Sequence, residues 1–263
     1  MKVLTLNTWG SPYAEQRSER TIALGEVLKL IDPDIILLQE VYLPTHRRSI
    51  TGILEEHWKY RHHFASSVLG SGLFTVSRYP IVDASFQRFR LGGKPERLRQ
   101  GDYYAGKGIG LTRIQTPDGL LDVYNCHTHA QYEEDDDNEY AIFNETNLYE
   151  AARFIYTNSP ENPVVVAGDL NSQPHQLGYE TLTELTGLVD AYEQVNHNHA
   201  ITYSRSNPYV TNMHDQSLDY ILVRDISVEK AELTLTETIP GVIPAYSDHY
   251  GILAEISLKG ETN

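Results

Sequence analysis

Runs of apolar residues with two kinds of pattern predict most of the regular structure of this chain. The opening residues MKVLTLNTW alternate in the manner of a half-buried strand, whereas DIILLQE and VVVAGDLN are continuously apolar, as is typical of strands covered on both faces. Further strands are predicted in GSGLFTVSRYPI, GKGIGLTRIQT, GLLDVYNCHTHA, LDYILVRD, VEKAELTLTE and YGILAEISLK. Strands therefore dominate the predicted order.

Three segments instead have the periodicity of amphipathic helices. RSERTIALGEVLKLIDPD carries four apolar residues at helical spacing, Leu24, Val27, Leu28 and Ile31. EYAIFNETNLYEAARFI predicts a longer helix, and LGYETLTELTG predicts one that Gly187 closes. Because strands dominate and helices occur in both halves of the chain, we expect an α/β (α+β) fold in which two mixed or antiparallel sheets pack together with helices outside.

Polar side chains stand at the ends of several apolar runs. They are Asn7, Glu40, His127, His129, Asp169, Asn171, Asp219, Asp248 and His249. One such residue alone is more often a turn cap than a functional group. Since the ends of central strands converge on one rim of a sandwich, where ligand sites tend to form, the whole set predicts a common cleft.

The chemistry of this set favours one class of reaction. Carboxylates and carboxamides suit Mg²⁺, and the Cys/His spacing of a structural zinc site is missing. Two separate histidine segments offer acid, base or charge stabilisation near neutral pH. A Gly-x-Ser-x-Gly elbow is absent and Cys126 lies in an apolar strand, so a covalent nucleophile is not indicated. Metal-assisted attack of water on a phosphate ester fits best.

Size and charge limit the domain organisation and the partners. The chain has 263 residues without a Pro/Gly/Ser-rich linker, repeat or low-complexity tract, which favours one domain over residues 1–263. A hydrophobic fraction of 40% supports a sizeable core. The formal net charge of −15 disfavours nucleic acid as the main partner, because affinity for nucleic acid comes mostly from Lys and Arg that neutralise phosphates.

The cellular compartment is predicted from absent signals. No charged segment followed by an apolar one precedes the first strand, and no run approaches 18 apolar residues, so neither a signal peptide nor a membrane span is expected. The single cysteine cannot form an intramolecular disulfide, which fits a reducing compartment. We expect a cytoplasmic monomer that meets membranes only peripherally.

The stretch GDYYAGKG matches most of a nucleotide-binding pattern. Gly101, Gly106 and Lys107 follow G-x-x-x-x-G-K, but Gly108 occupies the position that requires Ser or Thr. The next residues, IGLTRIQ, predict a strand instead of the helix whose N-terminus would hold phosphates. An ATPase or GTPase is therefore rejected.

Several motifs, in order, resemble a known family. They are LNTWGSPY, LLQEV, GSGLFTVSRYPI, GDYYAGKGIGL, HTHAQY, GDLNSQPHQLGY, TGLVDAY, LDYILV and SDHYGILAEI. Together they resemble the endonuclease/exonuclease/phosphatase superfamily and, through LNTWG, HTHAQY and GDYYAGKG, its neutral sphingomyelinases of the eukaryotic type. The resemblance covers nearly the whole chain and implies a four-layer αββα sandwich, the deoxyribonuclease-like fold.

The resemblance also implies a metal site. Glu40 would be the main Mg²⁺ ligand, with Asn7 close to the metal and phosphate, and Asp248 in the second shell of ligands. The ion, which Mn²⁺ can replace, would polarise the phosphoryl oxygens.

Roles in the reaction follow from the same resemblance. His249 would be the general base that takes a proton from the attacking water, with Asp219 holding its other ring nitrogen. Asp169 and Asn171 would position the water and the phosphoryl oxygens. His127 would donate to a phosphoryl oxygen or to the leaving alkoxide.

The edge of the expected cleft contains further candidates. In neutral sphingomyelinases a loop carries an Asp and a Lys five residues apart, which are Asp102 and Lys107 here. We hypothesise that Lys107 reaches the substrate phosphate when it is not paired with Asp102; the alternative is an ordinary surface ion pair. Tyr103, Tyr104 and His129 are candidates for the substrate rim.

The implied function is Mg²⁺-dependent, phospholipase-C-type hydrolysis of sphingomyelin, a related phosphosphingolipid or a lysophospholipid. Phe143 and Asn144 stand where that family tends to have His and Arg, so the headgroup stays open. The expected partner is a phospholipid, presented at a membrane surface. A nuclease or other phosphodiesterase of the superfamily is the alternative, and an inactive lipid-binding member is a third interpretation.

Overall fold

The computed structural model describes residues 1–12, 14–54, 57–66, 70–94, 96, 102–132, 138–210, 214–239 and 241–258. The strands in these ranges are β1 (Lys2–Asn7), β2 (Ile35–Gln39), β3 (Tyr60–His63), β4 (Phe74–Ser77), β5 (Ile81–Arg88), β6 (Gly108–Thr116), β7 (Gly119–His127), β8 (Val164–Asp169), β9 (Val189–Asp190), β10 (Asp219–Arg224), β11 (Ile226–Thr234) and β12 (Gly251–Leu258). The helices are α1 (Arg17–Ile31), α2 (Pro44–Leu54), α3 (Asp102–Ala105), α4 (Ala141–Asn158), α5 (Leu177–Thr186) and α6 (Ala191–Asn196).

The described strands form two six-stranded sheets. The strand order is β11–β12–β1–β2–β4–β3 in the first sheet and β5–β6–β7–β8–β10–β9 in the second. Within the first sheet β1 and β2 run parallel, and within the second β7 and β8 do so. All other neighbouring strands pair antiparallel, so both sheets are mixed.

Alternate residues of the central strands face two different apolar layers. Val3 of β1 and Val165 of β8 belong to the core between the two sheets. Leu4 faces the opposite way, into a cluster with Leu28 of α1, and Val166 packs in the cluster that contains residues of α4 and α5. Strands covered on both faces explain the continuous apolar runs, and the arrangement confirms the predicted four-layer sandwich.

Two helix ends follow the chemistry of their terminal residues. Asp32 ends α1 in the left-handed region with φ 58°, and its backbone N–H donates to Leu28 O. Gly187 ends α5 with φ 68°, a conformation that costs glycine little because it has no Cβ. The helix stop predicted at Gly187 is therefore present, and α1 ends at Asp32, directly before Pro33.

Strand register places the polar ends of the central strands together. Asn7 pairs with Gln39 in β1 and β2, so Glu40 comes directly after the last paired residue. His127 pairs with Asp169 in β7 and β8, and Asp169 pairs with Asp219 of the antiparallel β10. The carboxyl ends of the parallel strands and the starts of their antiparallel neighbours thus share one rim.

Candidate active site

Asn7 connects carboxylates from the two sheets. Its Nδ2 donates to Asp169 Oδ2 at 2.8 Å and to Glu40 Oε1 at 3.3 Å. Its Oδ1 accepts the backbone N–H of Trp9 at 3.0 Å, which fixes the orientation of the amide. A single side chain from β1 therefore holds one carboxylate of each sheet at hydrogen-bonding distance.

A buried amide pair supports this rim from below. Gln39 Nε2 donates to Asn125 Oδ1 at 2.8 Å, and Asn125 Nδ2 donates to Leu38 O at 3.1 Å. Gln39 and Asn125 are both fully buried. Because β2 lies in the first sheet and β7 in the second, these bonds fix the relative position of the two sheets beneath the candidate site.

The backbone adopts unfavourable conformations where strands leave the rim. Glu40 has φ 60° and Asn171 has φ 45°, in the left-handed region that non-glycine residues rarely occupy. A Cβ added to Gly10 would lie 1.9 Å from Glu40 O, so only glycine allows this approach. Such strain persists where the surrounding structure enforces it, and it concentrates at functional sites.

His249 and Asp219 form a close pair beside Asp169. His249 Nδ1 lies 2.7 Å from Asp219 Oδ2, and His249 Nε2 lies 4.0 Å from Asp169 Oδ2. Burial opposes charging of the ring, but Asp219, with Asp248 and Asp169, outweighs it and raises the pKa of His249 well above its usual value. With Nδ1 held by a carboxylate, Nε2 is the nitrogen that faces the cleft carboxylates.

The other carboxyl groups of the rim are difficult to ionise together. Burial raises the pKa of Glu40 above its ordinary value. Burial also raises the pKa of Asp169 to about 6, with a further contribution from Asp219, and the pKa of Asp248 to about 6, with a contribution from Glu40. Crowded carboxylates that are buried, as Asp169 is, or half-buried, as Glu40 and Asp248 are, and that have raised pKa values are groups whose charge a divalent cation compensates.

Two subsets of this rim offer cation ligands. One ligand atom each from Asp169, Asp219 and His249 lies within 4.8 Å of the others, and Asp219 Oδ1 has no hydrogen-bond partner among the described residues. The 2.7 Å bond from His249 to Asp219, however, is that of an imidazole oriented by a carboxylate. The carboxylates of Glu40 and Asp248, whose charges act on each other, are the second subset of oxygen ligands that this rim offers to a hard cation.

His127 and Lys107 add hydrogen-bond donors on the second sheet. His127 is 1% exposed, and its Nε2 lies 3.5 Å from Asp169 Oδ2. Burial and the charge of Lys107 lower the pKa of His127 well below its usual value, so the ring is neutral. Lys107 Nζ donates to Thr128 O at 2.8 Å, and its charge acts on Glu40 and Asp169, so Lys107 faces the carboxylates.

Asp248 is held against the first sheet by its neighbour. Ser247 Oγ lies 2.6 Å from Asn7 O and 3.1 Å from Asp248 Oδ1. Ser247 is fully buried. The segment before β12 is thus fastened to the end of β1.

Asn171 belongs to a clamp between two loops. Its backbone N–H donates to Asp169 Oδ1 at 2.9 Å, and its Nδ2 donates to Thr128 O at 3.2 Å. Nearby, Asn144 Nδ2 lies 2.8 Å from Leu170 O and 3.0 Å from Thr128 Oγ1. The carboxamides of Asn171 and Asn144 therefore tie the loop after β8 to the loop after β7.

The expected rim residues lie in different environments. Tyr103 is 43% exposed, and its ring centroid lies 5.2 Å from that of Tyr104. His129 is buried, its ring packs against Phe143 at 4.9 Å, and its Nδ1 lies 2.7 Å from Ala130 O. This placement favours a supporting role for His129 over contact with substrate.

One expected site residue lies partly outside the described structure. The backbone of Asp102 begins α3, but its side chain is not among the described residues, so its pairing with Lys107 stays a prediction. Residues 133–137 of the acidic stretch after HTHAQ also lie outside the described ranges.

Arg20 is a buried polar residue near this rim for which the sequence predicts no role, and Asn144, which the sequence marks only as a departure from the family pattern, is a second one. Arg20 stands four and eight residues before Leu24 and Leu28, on the buried face of α1. An arginine in phase with an apolar face is a signal that periodicity could reveal. Asn144 likewise lies on the buried face of α4, three residues before the buried Asn147.

The sequence model of the Endonuclease/Exonuclease/phosphatase family matches residues 4–249. The chain belongs to this family. The match spans all the strand-end residues that line the rim, and it confirms the resemblance inferred from the motifs.

Curated relatives match along nearly the whole chain. A putative neutral sphingomyelinase of Drosophila melanogaster is 30% identical over 98% of this chain and 61% of its own length. Sphingomyelin phosphodiesterase 2 of Homo sapiens is 30% identical over 98% of this chain and 65% of its own length. An inositol phosphosphingolipids phospholipase C of Schizosaccharomyces pombe is 28% identical over 98% of this chain and 69% of its own length. The chain thus spans less than two thirds of the first two relatives.

Solved structures show the same fold at lower identity. Sphingomyelinase C of Streptomyces griseocarneus matches with a TM-score of 0.71 at 18% identity, over 97% of this chain and 98% of that one. TDP2 of D. rerio, complexed with a single-strand DNA product, matches with a TM-score of 0.77 at 17% identity, over 98% of both chains. A mutant beta toxin of Staphylococcus aureus with bound magnesium ions matches with a TM-score of 0.72 at 17% identity, over 96% of this chain and 98% of that one.

Among the described helices, none is long and apolar enough to cross a membrane.

Proposed function

We propose that this protein is a Mg²⁺-dependent phosphoric diester hydrolase of the phospholipase-C type. Its substrate is sphingomyelin, a related phosphosphingolipid or a lysophospholipid, which it cleaves to ceramide or an acylglycerol and a phosphorylated headgroup. The observation that carries this proposal is the His249–Asp219 pair, 2.7 Å apart, beside a buried group of carboxylates at the strand ends. The relatives that match 98% of this chain act, by name, on sphingomyelin or on inositol phosphosphingolipids.

In this proposal Glu40 binds Mg²⁺, with Asn7 and Asp248 close to it. Burial raises the pKa of both carboxyl groups, so a cation beside them would favour their ionised forms. When bound, the ion supplies polarisation of the phosphoryl oxygens and offsets the negative charge of the transition state. The beta toxin with the same fold binds magnesium, which supports the choice of ion, and Mn²⁺ is expected to replace it.

His249 acts as the general base. Asp219 accepts a hydrogen bond from Nδ1–H, which keeps the proton on Nδ1 and leaves the Nε2 lone pair free to take a proton from the attacking water. The high pKa of His249 reflects the surrounding carboxylates, so the base becomes neutral only when their charge is compensated.

The residues of the second sheet bind the phosphoryl group. His127 is neutral and can donate one hydrogen bond from its ring N–H to a phosphoryl oxygen or to the leaving alkoxide. Lys107 supplies the positive charge on this side, and its bond to Thr128 O holds the ammonium group in the cleft. Asp169, 4.0 Å from His249 Nε2, and Asn171 orient the attacking water.

The charge of the chain favours a lipid over a nucleic-acid substrate. A net charge of −15 opposes a polyanion, whereas one phosphodiester in a lipid headgroup needs only the local charge of Lys107 and the ion. A nuclease of the same fold is the second candidate, because TDP2 shares the fold and was solved with DNA. The lipid substrate implies that the protein works at a lipid surface.

The test is release of water-soluble headgroup from mixed detergent micelles. Sphingomyelin, inositol phosphosphingolipid and lyso-phosphatidylcholine are compared with plasmid DNA, each with Mg²⁺ and with excess EDTA. The proposal predicts Mg²⁺-dependent headgroup release from at least one lipid and intact DNA. Cleavage of DNA without lipid hydrolysis would establish the nuclease instead, and no hydrolysis of any substrate would contradict both.

A further inference from the structure

Arg20 is a buried cation whose hydrogen bonds to the described residues all go to backbone carbonyls. It is 2% exposed, and its Nη1 donates to Thr8 O at 2.8 Å and to Tyr246 O at 3.1 Å. Nη2 donates to Trp9 O at 2.9 Å, and Nε donates to Glu15 O at 2.9 Å. Among the described residues no carboxylate lies within 4.0 Å of the guanidinium, so its charge has no direct ion pair.

Three of the four carbonyls that Arg20 binds come from the two sides of the candidate metal site. Thr8 and Trp9 directly follow Asn7, and Tyr246 directly precedes the segment Ser247–His249. The single atom Nη1 donates to a carbonyl of each segment. The bond from Ser247 Oγ to Asn7 O is a second link between the two segments. The guanidinium therefore fixes the distance between the end of β1 and the approach to β12.

Aromatic rings hold the guanidinium and one of its partners. The Arg20 Cζ lies 4.8 Å from the ring centroid of Trp9 and 5.7 Å from that of Tyr209. Trp9 has φ 47°, an unfavourable conformation, and its N–H orients Asn7. The bond to Trp9 O and the ring contact act on this strained residue together, and through it on the amide of Asn7.

A buried guanidinium is costly unless its surroundings compensate it. Burial lowers the pKa of Arg20, while the carboxylates of Asp248 and Glu40 act in the opposite direction from further away. The positive charge thus also offsets part of the charge of the same two carboxylates. A fold that needed only a packed α1 would be served by an apolar residue here, as at Leu24 and Leu28.

We propose that Arg20 is a positioning residue for the metal side of the site. By binding the carbonyls of Thr8, Trp9 and Tyr246, it sets the separation between Asn7–Glu40 and Asp248–His249. The proposal deepens the function proposed above and rests on it for the identity of the reaction. Lysine cannot replace the planar fork, because an ammonium group is a point charge that cannot reach carbonyls in three directions with fixed geometry.

The test compares Arg20→Lys with wild type and with Asp122→Asn. Asp122 lies at the opposite end of the second sheet, so its variant reports the effect of lost stability alone. At a temperature where all three proteins are folded, Arg20→Lys is expected to lower kcat by roughly 10²-fold with little change in KM, and to need more Mg²⁺ for half-maximal activity. Asp122→Asn is expected to keep both values.

A second readout needs no substrate. Hydrogen exchange should accelerate at residues 8–10 and 247–249 in Arg20→Lys and stay unchanged in α4 and β8. The rise in melting temperature on adding Mg²⁺ should shrink relative to wild type. These two measurements test the positioning role even if the wild type hydrolyses none of the lipids.

Three results would overturn the proposal. They are an unchanged kcat and Mg²⁺ requirement in Arg20→Lys, an unchanged exchange at residues 8–10 and 247–249, and acceleration spread evenly over the protein. If Arg20→Lys does not fold, Arg20→Gln, which keeps two donors without the charge, takes its place. Failure of both variants to fold would assign Arg20 to the stability of the whole protein and would also contradict the proposal.

Discussion

The parallel strands β7 and β8 have a buried aspartate near each end of the pair, and the two carboxylates have opposite surroundings. Asp122, at the end remote from the rim, accepts from Arg113 Nε at 2.7 Å, from Arg113 Nη2 at 2.9 Å and from Asn162 Nδ2 at 3.0 Å. Ser159 Oγ donates to it as well. Burial opposes ionisation, but these donors outweigh it and lower the pKa of Asp122.

Asp169, at the rim, has fewer donors and more negative neighbours. It accepts from Asn7 Nδ2 and from the N–H of Asn171, and burial, with a further contribution from Asp219, raises its pKa to about 6. The comparison teaches that burial alone does not mark a functional carboxylate. The charge of Asp122 is compensated by donors within the protein. The charge of Asp169 is not fully compensated, so a positively charged ligand would stabilise its ionised form.

The largest expected effect concerns the base at the rim. Replacing His249 by Asn removes the nitrogen that accepts the proton of water, and general-base catalysis contributes about 10² to 10⁴ in rate. We therefore expect kcat for headgroup release to fall by that factor, measured with saturating Mg²⁺. His199→Asn, near Asp190 in another part of the second sheet, is the matched control and should keep full activity. Equal losses in both variants would contradict the assignment.

The second largest effect concerns the stability contributed by Asp122, at the end of β7 and β8 that is remote from the rim. Asp122→Asn breaks a bidentate pair and leaves Arg113 without its main partner, which should lower the free energy of unfolding by about 3 kcal/mol, since Arg113 is partly exposed. For a chain of this size that corresponds to a melting temperature lower by roughly 6–12 °C. Thermal unfolding checks the value. A change below about 1 kcal/mol would show that Asp122 is not a structural anchor.

A smaller effect is expected in the pH dependence of the free energy of unfolding, measured in EDTA, to which Asp122 and Asp169 contribute with opposite sign. Asp122 has a lowered pKa, so its stabilisation is fully present above its unfolded pKa and is lost as pH falls through the folded value. Asp169, whose pKa is raised to about 6, has the opposite sign, and stability falls as pH rises from about 4 to about 6.

Chemical denaturation at several pH values checks this prediction. Asp169→Asn should flatten the fall in stability between pH 4 and 6, and Asp122→Asn should flatten the loss at more acid pH. The same slopes in wild type and both variants would contradict the opposite pKa shifts.

The smallest effect concerns the exposed edge. Tyr103 is 43% exposed beside the loop that carries Lys107, and its loss should lower activity on micellar lipid by only a few-fold, with no change on a water-soluble phosphodiester. Tyr156→Ala, at an exposed position of α4, is the control. Equal losses of activity on both substrates in Tyr103→Ala would show that Tyr103 supports the structure of the site and does not contact the lipid surface.

The sequence could predict the strands that are apolar without interruption and the helices with a clear apolar face. It did not predict α2, where one buried residue per turn, His46, Ile50 and Leu54, leaves no apolar stripe among the basic residues. It also did not predict β5, whose mostly half-exposed positions and irregularity after Ile81 obscure the alternation. Elements stabilised by tertiary contacts at an edge leave little periodicity to detect.

The strand-end residues of the candidate site could be singled out because they border apolar runs, whereas Lys107 and the tyrosines of its loop were found only through the resemblance. The supporting residues could not be predicted, since their roles depend on partners far away in the chain. Arg20 binds a carbonyl 226 residues away, and Gln39 binds an amide 86 residues away. Asp122 and Asp169 are aspartates of adjacent strands. The difference between them could not be predicted, because Asn162, which donates to Asp122, reaches it only where the chain returns after α4.

The most direct test of the account is the rate of headgroup release by Asp169→Asn and Asp122→Asn, measured with Mg²⁺ at 20 °C where both are folded. The account predicts that Asp169→Asn loses activity although its metal-free protein is at least as stable as wild type. It predicts that Asp122→Asn keeps the wild-type rate although it melts earlier. An active Asp169→Asn, or a folded Asp122→Asn without activity, would contradict the division of the sheet into a catalytic end and a structural end.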